Sequence, residues 1–234
     1  MGSRWMIGLM LGGALIGLAS GANAQTVGNG GFEDPAPPAG GFNLYNPGQN
    51  IGAFTVFGGA GSNVAVISNT FNDPAGRNNS HSGAAHLDLT GSVDNGGGQQ
   101  GIVQSVTTLQ GQAYTLSFYI GHRYDDGAPT IIGVSTTGAM GSYTNFTNAD
   151  RSGTSAASIS YQLYSLTFVA VGSSTQIAFR DNQPLGQAVA ALDDVTLAPF
   201  VAAVPGPLAG AGLIPLFGFA GAWLVRRRRG VFSA

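Results

Sequence analysis

One polar segment of the chain combines aromatic, cationic and anionic side chains within a few residues. It reads GHRYDDGAP, at positions 121–129, and contains His122, Arg123, Tyr124 and Asp125. Ligand sites combine an apolar face with a few aimed polar groups, so these four side chains could stack on a sugar and hydrogen-bond to it. We predict a ligand-binding site here. The alternative is an exposed hairpin loop whose charges are simply solvated.

Few other residues offer chemistry. The chain has no cysteine, which excludes thiol catalysis and cysteine-ligated zinc. It also lacks the nucleophile-elbow, zincin and phosphate-loop motifs. His81, His86 and His122 are scattered, as is typical of surface or loop histidines rather than of a shared metal site. A glycosidase needs two carboxyls flanking the bond, and nothing singles out such a pair. We predict that the protein is not an enzyme.

The elements that must position the polar segment are β-strands. Apolar and polar residues alternate in AYTLSFYIG, LYSLTFVAV, TQIAFRD and AAHLDLTG, which is typical of half-buried antiparallel strands. Clusters of Gly, Asn, Asp and Ser separate these stretches, as turns require. The pattern predicts an all-β sandwich of about eight to ten strands between roughly Val27 and Pro199. In the first stretch, one face holds Tyr114, Leu116, Phe118 and Ile120.

The first 24 residues have the composition of a secretory signal peptide. Arg4 precedes an apolar stretch, and Ala22-Asn23-Ala24 is a small-x-small cleavage site. We predict cleavage before Gln25 and export of the rest of the chain. The alternative is a short N-terminal membrane helix.

The region between residues 25 and 207 is acidic. It contains eleven acidic residues and four arginines, hence a net charge of −7, and no lysine. Such a surface repels phosphate backbones, which supply most nucleic-acid affinity, so we do not expect nucleic-acid binding. About 180 residues are enough for one domain with a sizeable core.

A second targeting segment follows that region. Leu208–Val225 is an apolar run of 18 residues, about 27 Å as a helix, which is just enough to span a bilayer core. The four arginines that follow this run would stay in the cytoplasm by the positive-inside rule. A permanent single-pass anchor and a removable address signal both satisfy this physics. The flanking residues are Val204, Pro205, Gly206 and Pro207 before the run, and Arg226, Arg227, Arg228 and Arg229 after it.

This segment resembles the PEP-CTERM sorting signal, in its VPGPLAGAGL form. The resemblance implies a bacterial protein that crosses the inner membrane and is sorted by a membrane-embedded exosortase. It also implies removal of the C-terminal tail, so that the protein ends at the cell surface or outside the cell. We adopt this interpretation, and the permanent anchor is the alternative.

Three motifs resemble, in order, those of galactose-binding-like jelly rolls. They are NGGFEDP at 29–35, GIVQSVTTLQGQAYTLSFYIG at 101–121, and ALDDVTL at 191–197. The relatives include secreted carbohydrate-binding modules of the cellulose- and xylan-binding type. The resemblance implies a jelly-roll sandwich that binds polysaccharide. This chain departs from the pattern at Gly52-Ala53-Phe54, where the family often has Gly-Trp, so stacking falls to tyrosines such as Tyr124.

The resemblance also implies a structural calcium where the first and last strands meet. Here those motifs contain Glu33, the only glutamate, and Asp193, and calcium prefers such oxygen ligands. Strand parity points Asp193 inward with Val195 and leaves Asp194 in solvent. We predict calcium bound by Glu33 and Asp193. The alternative is that Asp193 accepts backbone N–H bonds and no metal binds.

Together these observations predict a signal peptide at 1–24, a jelly-roll domain at 25–200 and a sorting signal at 201–234 with a transmembrane helix at 208–225. The function expected is that of a cell-surface or extracellular-matrix protein that binds or organises exopolysaccharide, as in a biofilm. A purely structural or adhesive envelope protein without a specific ligand is the alternative.

Overall fold

The structure is a computed structural model of the whole chain. The chain divides into two compact units, Met1–Phe200 and Val201–Ala234, and the fold described is that of the first. The predicted signal peptide and sorting signal lie outside the described residues, apart from Val201. No helix within the described part is long and apolar enough to cross a membrane. The described residues are 27–74, 76–92, 100–153, 158–184 and 189–201.

The described residues form fourteen strands in two six-stranded sheets and one two-stranded ribbon, and every pairing is antiparallel. The strands are β1 Phe42–Tyr45, β2 Asn50–Ile51, β3 Phe54–Phe57, β4 Val64–Ser68, β5 Asn72–Asp73, β6 Gly76–Arg77, β7 Ala85–Asp88, β8 Gly101–Thr107, β9 Ala113–Arg123, β10 Thr130–Ser135, β11 Thr144–Asn148, β12 Ile159–Val169, β13 Ser174–Asp181 and β14 Ala191–Pro199.

Sheet A has the strand order β1-β4-β7-β14-β9-β12, and sheet B has the order β11-β10-β13-β8-β3-β2. Most consecutive strands from β7 to β14 pass from one sheet to the other, so the predicted all-β sandwich is confirmed. The predicted number of strands was too low. Strands of two residues, such as β2 and β5, are too short to show any alternation.

The core lies between the two sheets, where the alternating residues of β9 point inward. Tyr114, Leu116, Phe118 and Ile120 are all buried, as predicted. Phe118 contacts Phe179 of β13 edge to face, with ring centroids 5.2 Å apart. Burial of each such side chain stabilises the fold by about 1.5–3 kcal/mol.

The opening motif differs from its prediction as a strand, because residues 28–31 form a turn. Asn29 and Phe32 have φ of 57° and 56°, and the Phe32 N–H donates to the Asn29 carbonyl at 3.0 Å. The turn still meets the last strand, since the Val195 N–H donates to the Gly30 carbonyl at 2.9 Å. A Cβ at position 30 would lie 2.0 Å from the Val195 carbonyl oxygen, so this approach requires glycine.

Sheet A is covered on its outer face as well. Residues 78–84, the covering loop, lie over β9, β12 and β14. The Asn79 side chain pairs with the backbone of Ile159, accepting its N–H at 2.8 Å and donating to its carbonyl at 3.0 Å. The Tyr161 hydroxyl donates to the Asn79 carbonyl at 2.9 Å. Polar residues that face away from the core are therefore buried too, among them His86 and Asp88.

Candidate functional site

A groove lies on the outer face of sheet A, beside the covering loop. One wall is apolar and partly aromatic, with Phe42 from β1, Ile67 from β4 and Phe71 from the following turn. Phe42 meets Phe71 edge to face, with centroids 5.5 Å apart and planes at 88°. Asp88 and Arg123 also line the groove, which has a volume of about 150 Å³.

The register of sheet A explains why strands distant in sequence share this groove. Ala65 of β4 pairs with Asp88 of β7, which in turn pairs with Ala191 of β14. Small side chains beside Asp88 leave space above it. The next strand, β9, contributes Gly121 opposite Ala191. A Cβ at position 121 would lie 2.3 Å from the Cγ2 of Ile159, so glycine is required there.

The Asp88 carboxyl is held in place by hydrogen bonds, and its burial shifts its pKa. The residue is only 2% exposed. Its Oδ1 accepts hydrogen bonds from the Thr90 N–H at 2.9 Å, the Thr90 hydroxyl at 2.7 Å and the Ala190 N–H at 3.0 Å. Burial raises the pKa of Asp88 to about 6, and the bonds from Thr90 oppose that rise. No hydrogen bond to Oδ2 is found among the described residues, so Oδ2 is the oxygen that a ligand can use.

Arg123 is the last residue of β9, and its guanidinium is held by Asp125. The Nε lies 2.6 Å from Asp125 Oδ1, and an Nη lies 3.0 Å from Oδ2. The hydrogen bond from the Nη and the close charge contact at the Nε together hold the guanidinium beside the groove. Of the predicted ligand segment, only Arg123 lines the groove. Asp125 contributes indirectly, because it holds the Arg123 side chain in position.

The other two residues of that segment lie elsewhere. β9 continues to Arg123, so the loop begins at Tyr124 rather than at Gly121. His122 is buried, with its Nδ1 3.2 Å from the Thr130 hydroxyl, and burial lowers its pKa. Tyr124 is 43% exposed and its N–H donates to the Ser158 carbonyl at 2.9 Å. The structure therefore does not bring the four residues onto one surface.

The interpretation of all three histidines as surface or loop residues is wrong for two of them. His86 and His122 are buried inside strands, and burial lowers the pKa of His86 to about 4. His81 does lie in a loop, where its ring stacks on Tyr119 with centroids 3.5 Å apart. His81 also lines a second, polar cleft with Asn69 and Ser158.

The acidic residues proposed as calcium ligands hold the covering loop through its backbone. Glu33 Oε1 accepts the N–H groups of Ala84 and Ala85 at 2.9 and 3.2 Å. Asp193 Oδ2 accepts those of His81 and Ser82 at 3.0 and 3.2 Å. Burial raises the pKa of Asp193 to about 7, and these backbone bonds oppose the rise.

Strand parity was wrong for both aspartates. Asp193 pairs with Tyr119 on the outward face of sheet A instead of pointing inward with Val195, and Asp194 does not face solvent freely. A β-bulge interrupts the pairing of β14 between Asp193 and Thr196, and Asp194 has φ of 48°. Because a bulge adds a residue on one strand, two adjacent side chains can point the same way. Asp194 therefore also reaches the covering loop, at 2.6 Å from His81 Nδ1 and 2.8 Å from the Ser82 hydroxyl.

These contacts bear on the predicted calcium ion. Within the described ranges, no group of three or more His, Asp and Glu side chains is arranged to hold a metal. The positive ends of N–H groups point at Glu33 Oε1 and at both oxygens of Asp193, where a cation would have to bind. In this arrangement the donor set does not fit calcium, and it matches the alternative in which Asp193 accepts backbone bonds. Calcium binding itself stays an untested prediction.

Two groove residues were missed from the sequence. Phe42 lies in a four-residue strand between glycine-rich turns, which gives no pattern. Asp88 lies in AAHLDLTG, where alternation correctly separates it from Leu87 but says nothing of a loop lying over it. The only signal was the occurrence of an acid and a histidine together on the outward side of one strand.

No family model matches the chain, and no curated protein matches it. Among solved structures, it is similar to a cyclase from Fischerella sp. TAU, with 17% identity, a TM-score of 0.48, and coverage of 75% of this chain and 96% of that one. A CBM22-1 xylan-binding domain from Paenibacillus barcinonensis has 17% identity, a TM-score of 0.40, and coverage of 70% and 98%.

A family 35 carbohydrate-binding module from Clostridium thermocellum is also similar, with 16% identity, a TM-score of 0.38, and coverage of 67% and 98%. Several of the similar structures are thus carbohydrate-binding modules. All of these TM-scores are below 0.5. The assignment as a β-sandwich therefore rests on the strand pairing of this chain itself.

Proposed function

We propose that this chain is an exported polysaccharide-binding protein whose sugar site is the groove on the outer face of sheet A. The observation that carries the proposal is the pairing of an aromatic wall with two charged groups in one groove. A sugar ring can lay its C–H face on Phe42 while its hydroxyls donate to Asp88 and accept from Arg123. The site thus shares Arg123 with the segment predicted from the sequence.

The groove supports binding rather than hydrolysis. A glycosidase needs an acid and a second carboxylate on opposite sides of the scissile bond. Among the described residues that line the groove, Asp88 is the only carboxyl. Its pKa of about 6 leaves it mostly ionised at neutral pH, as a hydrogen-bond acceptor for sugar hydroxyls.

The affinity should be low. The wall offers phenylalanine and leucine side chains, and both tryptophans of the chain, Trp5 and Trp223, lie in the predicted targeting segments. With phenylalanine rather than tryptophan rings to stack on, we expect dissociation constants of roughly 0.1 to 1 mM.

Retardation gels containing a broad panel of polysaccharides test this proposal. Phe42→Ala removes the exposed ring of the groove, and Tyr124→Ala removes a ring outside the groove. The two rings are 42% and 43% exposed, respectively. We expect retardation to be lost in Phe42→Ala and kept in Tyr124→Ala. Loss of retardation in Tyr124→Ala but not in Phe42→Ala would place the sugar site at the segment 121–129, as predicted from the sequence. Retardation by none of the polysaccharides would overturn sugar binding and favour the structural or adhesive alternative.

Export and sorting form the second part of the proposal and are supported by the sequence alone. A cleaved signal peptide takes the chain across the inner membrane, and an exosortase-type enzyme removes the tail that begins near Val204. The intact mass of protein recovered from the producing cell tests this. We expect a mature form without the arginine cluster. An extracellular form that still ends at Ala234 would contradict removal of the tail and favour a permanent membrane anchor.

A further inference from the structure

We propose that one end of the sandwich is a surface that rests on a phospholipid bilayer. This apolar end is defined by the connections at 108–112, 136–143 and 170–173, together with Phe200. The inference rests on the membrane-spanning run of the proposed sorting signal, and it is independent of the sugar site on the outer face of sheet A.

Antiparallel pairing brings these connections together. β8 and β13 pair Thr107 with Ser174, while β9 and β12 pair Ala113 with Val169, so the loops that join the sheets leave from the same end. The Thr108 N–H donates to the Ser173 carbonyl at 2.9 Å.

Further backbone bonds tie the remaining parts of this end together. The Gly111 N–H donates to the Ala170 carbonyl at 2.7 Å, and the Phe200 N–H donates to the Ala113 carbonyl at 2.8 Å. These bonds join the connections at 108–112 and 170–173 to Phe200. Ser135 of β10 pairs with Ala178 of β13, and position 138 lies beside Gln176, so the connection at 136–143 leaves toward the same end.

Large apolar side chains project into solvent at this end, among uncharged polar ones. Met140 is 99% exposed and Val171 is 87% exposed, and Leu109, Val169 and Phe200 are also exposed. The three connections contain no Asp, Glu, Lys, Arg or His. Exposed apolar side chains grouped in this way mark a contact with a partner or a membrane.

The opposite end is charged. It contains the Arg123–Asp125 pair, and the Arg151 guanidinium donates to the Asp126 carbonyl. The contrast gives the sandwich one end suited to water and one end suited to the boundary between headgroups and acyl chains, where apolar side chains with no charge insert most readily.

Chain length identifies the bilayer as the occupant. The apolar run predicted to span the membrane begins at Leu208, eight residues after Phe200. Eight residues reach at most about 28 Å even when fully extended. While that run is in the bilayer, the chain keeps Phe200 within about 28 Å of the start of the run. Because the chain is tethered to a bilayer in this way, we assign the bilayer as the apolar partner of the apolar end.

The absence of cysteine from the chain allows a direct test by single labels. Full-length Met140→Cys, Val171→Cys and Tyr124→Cys are labelled with an environment-sensitive fluorophore and reconstituted into phosphatidylcholine vesicles. Lipids that carry a quencher near the headgroup are then included. We expect a loss of fluorescence at positions 140 and 171, and none at 124 on the charged end. Equal quenching at all three positions, or none at 140 and 171, would overturn the proposal.

A second variant separates insertion of the loops from mere tethering by the tail. Leu109→Ser combined with Val169→Ser makes the apolar end polar and leaves residues 201–234 unchanged. We expect the label at position 171 to lose its quenching while the chain still floats with the vesicles. Quenching that persists would show that tethering alone accounts for it. A label at 171 that responds to protein concentration and not to quencher lipids would show that a second copy covers this end, and would also overturn the proposal.

Discussion

The outward faces of the two sheets differ in how they treat polar side chains. On sheet A, His86, Asp88 and Asp193 are buried beneath the covering loop and the residues around Ala190. On sheet B, Ser105 of β8 and Gln176 of β13 pair across the sheet and stay exposed. The same apolar–polar alternation therefore leaves Ser105 and Gln176 solvated on sheet B and produces a buried polar layer on sheet A.

The difference shows where perturbed chemistry arises in this fold. Ser105 and Gln176 on sheet B are solvated and carry no titratable group. On sheet A, burial raises the pKa of Asp88 to about 6 and that of Asp193 to about 7. Four predictions test this difference between the sheets, in order of decreasing expected effect on stability.

The largest effect is expected from Asp88→Asn. Because the folded-state pKa of about 6 is raised, the folded state favours the protonated form, and the free energy of unfolding falls as pH rises from about 4 to 6. At pH 7 this costs about 3 kcal/mol. Asparagine keeps the acceptor without the charge, so we expect stabilisation of up to about that size at pH 7, and loss of sugar binding.

Urea denaturation at pH values between 4 and 7 measures this effect. Asp34→Asn, at an exposed position, is the control and should change the unfolding free energy by less than about 0.5 kcal/mol. The raised pKa of Asp193 also lowers the free energy of unfolding as the pH rises to about 7. We expect this contribution of Asp193 to remain in Asp88→Asn. Destabilisation of Asp88→Asn at pH 7 would show that the carboxylate has a charged partner.

Asn79→Ala should destabilise the protein by about 2 kcal/mol. The variant removes both side-chain bonds to the Ile159 backbone, and each lost bond to a partly buried partner costs about 1 kcal/mol or more. Gln176→Ala on sheet B is the control and should have little effect. Hydrogen exchange at the Ile159 amide gives the local measurement. An unchanged exchange rate would mean that the covering loop is not held by Asn79.

His81→Ala should cost about 1 kcal/mol. Stacked aromatic pairs contribute about 0.5–1.5 kcal/mol, and the partly exposed pair with Asp194 adds little. His81→Phe keeps the stacking on Tyr119 and removes the bond to Asp194, so it should retain most of the stability. If both variants lose the same free energy in thermal unfolding, then Asp194 rather than Tyr119 supplies the contact that matters.

Calcium should have the smallest effect. Backbone N–H groups already bond to Glu33 and Asp193, so we expect equal melting temperatures in excess calcium and in chelator. A higher melting temperature in calcium that disappears in Asp193→Ala would establish the metal site predicted from the sequence. These carboxylates would then exchange their backbone bonds for the ion.

Alternation predicted the core well, because side chains in a strand point to opposite faces whatever the strand packs against. Leu116 and Phe118 were placed correctly for this reason. The candidate site was predicted only through Arg123. Phe42 and Asp88 could not be found, because the groove depends on pairing between β1, β4 and β7 and on the placement of a loop.

The sequence by itself determined the all-β class, the inward faces of β9, β12 and β13 and the acidic, cysteine-free character of the central region. These follow from local periodicity and composition, which need no knowledge of neighbours. Only the tertiary structure decided that Asp194 turns toward His81, through a bulge, and that Asp88 is buried. Burial and bulges are set by contacts between residues far apart in the chain, and a single strand carries no record of what lies over it.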